Sequence, residues 1–232
     1  MNELQIFYED NHIIVVQKPQ NVLSQGDETG DKSLLDMVRD YIKQKHNKPG
    51  NVYIGLVHRL DRPTGGVMVF AKTSKAAERL TQQLKNKEFS KKYFAVVIGT
   101  PKYKSSRLEH FLKKDEKENK VTVCPRSEDG AKQAILEYKT LNSQKGLSLL
   151  QVQILTGRSH QIRVQLSQIG NPLFGDQKYG IQTPKKVNLA LWAYELSFIH
   201  PTTKKRMVFK SIPPVLNAPW NIFEAEINKI TK

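Results

Sequence analysis

One aspartate stands between two arginines in the stretch VHRLDRPTGGVMVFAKT, residues 57 to 73. Arg59 lies two residues before Asp61 and Arg62 directly after it, and nearby cations favour the ionised form of a carboxylate. The proline and glycines that follow predict a tight turn, which presents the carboxylate at the edge of the apolar strand 67–71. Two interpretations are open at this point: a structural Arg–Asp pair that supports the turn, or a reactive carboxylate.

The charge of the chain bears on that choice. Lysine and arginine number 37 against 22 acidic residues, a formal net charge of +15. Such an excess predicts a polyanionic partner, most simply nucleic acid, although charge alone also serves solubility. A carboxylate placed in a zone that attracts phosphates weakens their binding, so we expect Asp61 to have another task.

Two further segments carry residue types that suit chemistry or phosphate binding. Arg158 and His160 precede a predicted helix, and the free N–H groups at a helix start suit a phosphate or carboxylate, although an ordinary capped helix start has the same pattern. Tyr93 follows Lys91 and Lys92 in KKYFAVVIG, where a core aromatic residue is the alternative to a catalytic one.

Several classes of enzyme are excluded by motif. The sequence has no GxxxxGK[ST] loop, no GxGxxG after a strand and no HExxH. One cysteine, Cys124, allows no intramolecular disulfide and no cysteine-rich zinc site. The spacing of His58, His160 and His200 is not that of a ligand set, so we expect no metal. The N-terminus resembles no secretory signal or transit peptide, and no apolar run reaches membrane-spanning length, so we expect a cytoplasmic protein.

Strands outnumber helices in the predicted pattern. Helices are predicted after Ser33, from Ser74, from about Ser159 and around Phe223 to Ile230. The predicted strands are 6–9, 13–16, 67–71, 91–99, 121–124, 134–141, 147–155, 189–199 and 206–210, with residues 113–120 as a loop or hairpin tip. Most strands are joined by short connections, which predicts a largely antiparallel α+β fold in one domain.

Five segments together resemble a known family. HRLDRPTGG, KKYFAVVIG, LTGRSHQIRVQLSQIGNPLFGDQKYG and LALWAYELSFIHP with SIPP closely resemble, in order and spacing, the RluA-type pseudouridine synthases. The earlier NHIIVVQKPQNVLSQG is similar to the opening strand and loop of that family. The resemblance extends from about Ile6 to Pro214.

The resemblance implies isomerisation of uridine to pseudouridine in ribosomal or transfer RNA, without metal or other cofactor. It also implies a mixed, mainly antiparallel sheet with flanking helices and two lobes around a basic cleft. Asp61 matches the essential aspartate, Tyr93 the tyrosine that packs on the target base, and Arg158 the arginine that pairs with the aspartate. Arg59 matches an arginine that helps to hold the place of the flipped-out nucleotide. We expect further RNA contacts from Arg62, His160, Arg163 and Lys91.

The implied reaction explains these residue types. Cleavage of the N-glycosidic bond gives the ribose oxocarbenium character, which an ionised Asp61 can stabilise, trap, or relieve by removing the 2′ proton. Tyr93 is then a candidate acceptor of the proton from carbon 5 of the base. The base must first leave its stack, which requires an apolar and aromatic pocket with basic walls. The sequence leaves the three routes open.

Some positions depart from the pattern of the family. Many relatives have Ser where this chain has Gly65, and often His where it has Gln165 and Trp192. These residues flank the three chemical positions, so we expect activity with a changed fit to the substrate. We also expect a monomer whose residues 1–232 form the catalytic domain alone, without a separate N-terminal RNA-binding module.

Two other functions remain open from the sequence. One is a non-catalytic RNA-binding or RNA-chaperone protein on the same fold, and the other is a nucleic-acid N-glycosylase, which uses similar carboxylate chemistry but releases free base.

Overall fold

The computed structural model describes residues 4–47, 49–180 and 187–231. They form an α+β fold with eleven strands, four α-helices and one 3-10 turn. The strands are β1 (Ile6–Glu9), β2 (Ile13–Lys18), β3 (Gly55–Leu56), β4 (Gly65–Ala71), β5 (Ser90–Ile98), β6 (Ser105–Asp115), β7 (Lys120–Cys124), β8 (Lys132–Gln144), β9 (Leu147–Ile154), β10 (Leu191–Ile199) and β11 (Arg206–Lys210). The helices are α1 (Leu34–Lys45), α2 (Ser74–Lys85), α3 (Gln161–Gln168) and α4 (Glu224–Thr231), with the 3-10 turn at Trp220–Phe223.

The chain divides into two compact units. The first contains residues 1–90 and 195–211, and the second contains residues 91–194 and 212–232. The division falls inside β10, so this strand contributes to both units. Its first four residues belong to the second unit and its last five to the first.

In the first unit the strand order is β1-β2-β4-β10, with β3 beside β4 and β11 beside β10. The pairs β1–β2, β2–β4, β3–β4 and β10–β11 are antiparallel. The alternating apolar residues of β2 and β4 bury one face against α2 and the end of β10, where Val15, Val69, Leu80 and Phe198 belong to one core cluster. This core supports the end of β2 and the start of β4. Asp61 lies in the segment that leads into β4.

Helix α1 begins as its sequence predicts. Ser33 is the N-cap, its hydroxyl accepts from the N–H of Asp36, and the Asp36 carboxylate accepts from the N–H of Ser33, so that a capping box is complete. Glu9 of β1 accepts from Lys45 and Lys72. Burial opposes ionisation of Glu9, but these bonds and one from His46 prevail and lower its pKa to about 2. The ionised carboxylate of Glu9 therefore links β1 to the end of α1 and to the residue after β4.

In the second unit the strand order is β10-β5-β9-β8-β6-β7. The pairs β5–β9, β8–β9, β6–β8 and β6–β7 are antiparallel, as predicted for the family. Phe94, Leu149, Trp192 and Phe223 belong to a core cluster at one end of the sheet, to which the 3-10 turn and α4 also contribute. The sequence predictions omitted β3 and β6, and the segment 113–120 contains the end of β6 as well as a hairpin turn at 116–119.

Candidate active site

Asp61 is the first residue of a tight turn in the first unit. The N–H of Thr64 donates to the carbonyl oxygen of Asp61 at 2.9 Å, which closes the turn over residues 61–64. Strand β4 begins directly afterwards, at Gly65. Asp61 is half-buried, and it carries its carboxylate at the point where the chain enters a fully buried strand. A turn is present next to Asp61 as predicted, but it spans residues 61–64, and Gly65 and Gly66 are the first residues of β4 and not part of the turn.

A buried lysine fixes the far side of this turn. Lys18, the last residue of β2, has no exposed surface, and its Nζ donates to the carbonyl oxygens of Pro19, Arg62 and Thr64 at 3.1, 3.0 and 2.8 Å. Burial lowers the pKa of Lys18 to about 7, the negative charge of Asp61 opposes that shift, and the positive charge of Arg62 adds to it. Lys18 was not predicted as a site residue. Its burial was the feature that the sequence could have indicated, because strand alternation places Lys18 on the same face as the apolar residues Ile14 and Val16.

The loop after β2 makes further bonds to the segment that carries Asp61. The Ser24 hydroxyl donates to the carbonyl oxygen of Leu60 at 2.7 Å and accepts from the Leu60 N–H at 3.1 Å. Gln20 Nε2 donates to the carbonyl oxygen of Pro63 at 3.1 Å. The backbone is thus fixed on both sides of Asp61 by side chains from a loop about forty residues earlier in the chain.

The two arginines beside Asp61 have different environments. Arg62 donates through Nε to the carbonyl oxygen of Asn21 at 3.2 Å and forms an ion pair with Asp31. Arg59 is exposed, and its guanidinium has no partner within the described residues. Of the two, Arg59 is the one whose donors remain available for a phosphate.

Tyr93 lies on β5, an inner strand of the sheet of the second unit. It is 6 % exposed, and in the strand ladder it is opposite Val152, which is in turn opposite Tyr138. Lys91 lies two residues earlier on the same face of β5 and is partly exposed. Burial lowers the pKa of Lys91 to about 8. Lys91 is therefore a partly desolvated cation near neutral pH on the face that carries Tyr93.

Arg158 is exposed at the loop between β9 and α3. Its Nε donates to the carbonyl oxygen of Gln133 at 2.9 Å. The backbone of this loop is held by Gln161, which is 4 % exposed: its Oε1 accepts from the Arg158 N–H at 3.0 Å and from the Thr156 hydroxyl at 2.8 Å, and its Nε2 donates to the Ile135 carbonyl oxygen at 2.9 Å. Gln161 was not predicted as a site residue, because nothing local marks a glutamine at a helix start as buried.

His160 and Arg163 have partners inside the second unit. His160, the N-cap residue of α3, has φ 50°, and its Nδ1 lies 2.7 Å from the hydroxyl of Tyr179. Arg163 donates through Nε and Nη2 to the two carboxylate oxygens of Asp176 at 2.8 and 2.7 Å, and both residues are buried. Burial opposes ionisation of Asp176, but Arg163 outweighs it and lowers the pKa of Asp176. This bidentate pair fastens α3 and does not support the expected RNA contact of Arg163.

The three positions that depart from the family are all buried. Gln165 Nε2 donates to the carbonyl oxygens of Leu108 and Ala134, each at 3.2 Å, and lies 3.0 Å from His110 Nδ1. Trp192 belongs to the core cluster of the second unit, and Gly65 is the first residue of β4. Gln165 and Trp192 thus have structural partners within the second unit.

The described residues contain no group of three or more His, Cys, Asp or Glu side chains that could hold a metal ion. Across the same ranges, no helix is both long and apolar enough to cross a membrane.

The structure groups the predicted residues by unit. Asp61, Arg59 and Arg62 lie together on the turn of the first unit. Lys91 and Tyr93 share one strand face of the second unit, and Arg158, His160 and Arg163 lie at the start of α3.

Comparison with known proteins identifies the family of this chain. The family model for RNA pseudouridylate synthases matches residues 12–168, a range that contains Asp61, Tyr93 and Arg158. An uncharacterized RNA pseudouridine synthase of Bacillus subtilis, YlyB, is 34 % identical over 216 residues, which are 91 % of this chain and 70 % of that protein. Ribosomal large subunit pseudouridine synthase D of Borreliella burgdorferi is 36 % identical over 196 residues, 82 % of this chain and 60 % of that protein.

Among solved structures, the fold is shared with human RNA pseudouridylate synthase domain containing 4, with a TM-score of 0.76 and 23 % identity over 91 % of this chain and 89 % of that one. Because the family model covers more than half of the sequence and the curated relatives exceed 30 % identity, the chain belongs to the RNA pseudouridine synthases, isomerases that act on RNA.

Proposed function

We propose that this protein isomerises a uridine of ribosomal or transfer RNA to pseudouridine and that Asp61 is its essential carboxylate. The observation that carries the proposal is the construction of the turn at 61–64. A buried lysine and two side chains of a distant loop fix the backbone around one half-buried aspartate, inside the segment that matches the family model. A turn that only reverses the chain does not require so many non-local bonds.

The chemistry assigned to Asp61 needs its ionised form. As the bond between ribose and base breaks, positive charge develops on the ribose, and a carboxylate stabilises that charge, bonds to the sugar or accepts its 2′ proton. The uracil then turns so that carbon 5 replaces nitrogen 1 in the bond to the sugar. The proton on carbon 5 leaves, and nitrogen 1, released from the sugar, takes up a proton. No atom is lost in this isomerisation, and no redox step or metal is needed to balance it.

The other residues of the proposal follow the resemblance. By the resemblance, Tyr93 is the residue proposed to pack on the target base and to accept the proton from carbon 5, and Arg158 is the arginine assigned to the essential aspartate. Arg59 binds the RNA where the nucleotide has left its stack. The exposed position of Arg59 and the cation of Lys91 on the strand face that carries Tyr93 support these RNA contacts.

The printed names of relatives guide the choice of RNA. Two relatives are named ribosomal large subunit pseudouridine synthase D, so ribosomal RNA of the large subunit is the first target to test. Pseudouridine is mapped in ribosomal and transfer RNA from cells that lack the protein and from the same cells supplied with wild type or Asp61→Asn. Wild type alone is expected to restore the missing modification.

The direct test is release of tritium from RNA that carries uridine labelled at carbon 5. We expect Asp61→Asn to lower the release rate by at least about 10³-fold, because an amide cannot supply the negative charge. Asp40→Asn, an exposed acid on α1 of the same unit, is the control and is expected to change the rate by less than about twofold.

Each alternative gives a different result. Free uracil among the products would show an N-glycosylase. If Asp61→Asn restores growth or ribosome assembly as well as wild type does while no tritium is released by either protein, the protein acts as a non-catalytic RNA-binding protein.

A further inference from the structure

A polar groove of about 420 Å³ lies on the sheet of the second unit, apart from the residues assigned to chemistry. Its lining is formed by Lys92, Ser105, Ser106, Arg107, Glu137, Tyr138, Lys139, Gln151 and Gln153. Lys92 is opposite Gln153, Gln153 is opposite Glu137, and Glu137 is opposite Arg107, so one row of the ladder crosses the groove from β5 to β6. The groove therefore follows four neighbouring strands of one sheet.

This groove and Tyr93 belong to opposite faces of the sheet. Lys92 and Tyr93 are consecutive residues of β5, and consecutive side chains of a strand point to opposite faces. On the groove face, Gln151 borders the core cluster of the second unit, because its Nε2 donates to the hydroxyl of Tyr194 at 2.6 Å. A ligand in the groove is therefore not the uridine that packs on Tyr93.

The charge around the groove is strongly positive. Its lining contains Lys92, Arg107 and Lys139, and the segment that leads into β6 adds Lys102 and Lys104. Against these five cations stands one lining carboxylate, that of Glu137, which forms an exposed ion pair with Arg107 at 3.4 Å. An anionic ligand with repeated charges is the partner that such a row of cations attracts.

An exposed aromatic ring lies at the same end of β6. The side chain of Tyr103 is 58 % exposed, and Lys102 Nζ lies 5.4 Å from its ring centroid. The backbone of Tyr103 is held beside β8, because its carbonyl oxygen accepts from the hydroxyl of Tyr138 at 3.2 Å. The segment KYKSSR, residues 102–107, thus combines cations, hydroxyls and one open aromatic face in six residues.

We propose that this surface, the KYKSSR surface (residues 102–107 with Lys92 and Lys139), binds a single-stranded flank of the substrate RNA. The lysines and the arginine bind successive phosphates, and Tyr103 stacks on a base. Ser105, Gln151 and Gln153 of the lining supply a hydroxyl and amides for ribose and base edges. The proposal rests on the proposed function only in that the strand belongs to the substrate.

The test measures binding of a fluorescein-labelled, uridine-free single-stranded RNA of about 20 nucleotides, long enough for one such surface. A uridine-free probe excludes the target base of the isomerase. We expect the double variant Lys104→Glu with Lys139→Glu to raise Kd at least about tenfold and to lower the slope of log K against log salt by about 2. Tyr103→Ala is expected to raise Kd about five- to thirtyfold.

A matched control carries the same change of net charge elsewhere in the second unit. Lys117→Glu with Lys145→Glu alters two exposed residues in hairpin turns, and we expect it to change Kd by less than about threefold. Thermal unfolding of all variants checks that the fold is kept. Equal weakening by the two double variants would overturn the proposal, because only the net charge would then matter.

Two further results distinguish an RNA-binding surface from a general anion site and from the isomerase activity itself. If polyphosphate competes as well as RNA and Tyr103→Ala leaves Kd unchanged, the surface is an anion site and the proposal for an RNA strand is overturned. If wild type releases no tritium from labelled RNA while the KYKSSR variants still bind less tightly than the control, the proposed isomerase function fails and the RNA surface stands.

Discussion

The turn that begins at Asp61 and the loop that carries Arg158 each have a buried polar partner that makes three hydrogen bonds, Lys18 for the turn and Gln161 for the loop, and these two side chains are of different kinds. Lys18 is a donor only, and it bonds to three carbonyl oxygens at one end of its strand. Gln161 is both acceptor and donor: it binds an N–H and a hydroxyl of its own loop and one carbonyl oxygen of β8. Each choice matches the backbone groups that the loop leaves unpaired.

The difference in chemistry has an energetic consequence. An ammonium bonded to carbonyl oxygens satisfies them strongly, but its burial is costly, which is why burial lowers the pKa of Lys18 to about 7. A neutral amide carries no such cost and does not titrate. We call Lys18 and Gln161 the anchors of these two segments. The stability that Lys18 gives to the turn is therefore expected to depend on pH, whereas the stability that Gln161 gives to the loop is not.

Removal of the charged anchor is expected to have the largest effect. Lys18→Met keeps the length of the side chain but leaves buried carbonyl oxygens without donors, at a cost of about 3 kcal/mol in the free energy of unfolding. Displacement of the turn is expected to lower kcat/KM for tritium release about tenfold to hundredfold, since small errors in the position of a reacting group are costly. Denaturant unfolding and initial rates, both at pH 8, measure the two quantities.

Lys75→Met is the matched control for this variant. Lys75 is exposed in the first turn of α2, and its replacement is expected to alter the free energy of unfolding by less than about 0.5 kcal/mol. A Lys18→Met protein as stable and as active as the control would show that the three bonds do not position Asp61.

Most of the elements that carry these anchors were predictable from sequence. The apolar alternation of β2, β4 and β5 and the capping pattern of α1 are local signals, and the structure confirms the elements that they predict. Strand β6 was missed because one of its faces is solvated: its sequence SSRLEHFLKKD has only Leu108 and Leu112 buried. A strand with charged residues along its outer face has a weak apolar period and resembles a loop.

The anchors themselves were not predictable in the same way. The bonds from Lys18 to Arg62 and Thr64 join residues 44 and 46 positions apart, and the pair of Arg163 with Asp176 joins residues 13 apart. Such partners depend on tertiary packing, which no local pattern encodes. Arg163 illustrates the result, because its sequence context favoured an RNA contact and its buried carboxylate partner appears only in the fold.

The second expected effect is a dependence of stability on pH that comes from Lys18. Its pKa is about 7 in the folded state and 10.5 in the unfolded state, so between these values the unfolded chain binds more protons. The contribution of Lys18 to the free energy of unfolding is therefore lowest below pH 7 and rises as the pH increases towards about 10. Between pH 7 and pH 9 the difference between wild type and Lys18→Met is expected to rise by about 2 kcal/mol.

Urea unfolding of both proteins at several pH values measures this difference, and the subtraction removes the other titrating groups that the two proteins share. If the difference in free energy of unfolding between wild type and Lys18→Met stays constant from pH 7 to pH 9, Lys18 keeps an ordinary pKa in the folded protein. Lys18 and Gln161 would then not differ in their dependence on pH.

The smallest expected effect comes from the neutral anchor. Gln161→Leu keeps the volume of the buried side chain but removes the bonds to the Arg158 N–H, the Thr156 hydroxyl and the Ile135 carbonyl oxygen, at a cost of about 1–2 kcal/mol. Gln168→Leu, an exposed change on the last residue of α3, is the control and is expected to cost less than about 0.5 kcal/mol. Because no charge is involved, the cost of Gln161→Leu is expected to be the same at pH 7 and pH 9.

The effect of Gln161→Leu on kcat should exceed its effect on KM if the loop positions Arg158 for the chemical step. Equal kcat values for Gln161→Leu and Gln168→Leu would restrict Gln161 to a purely structural role.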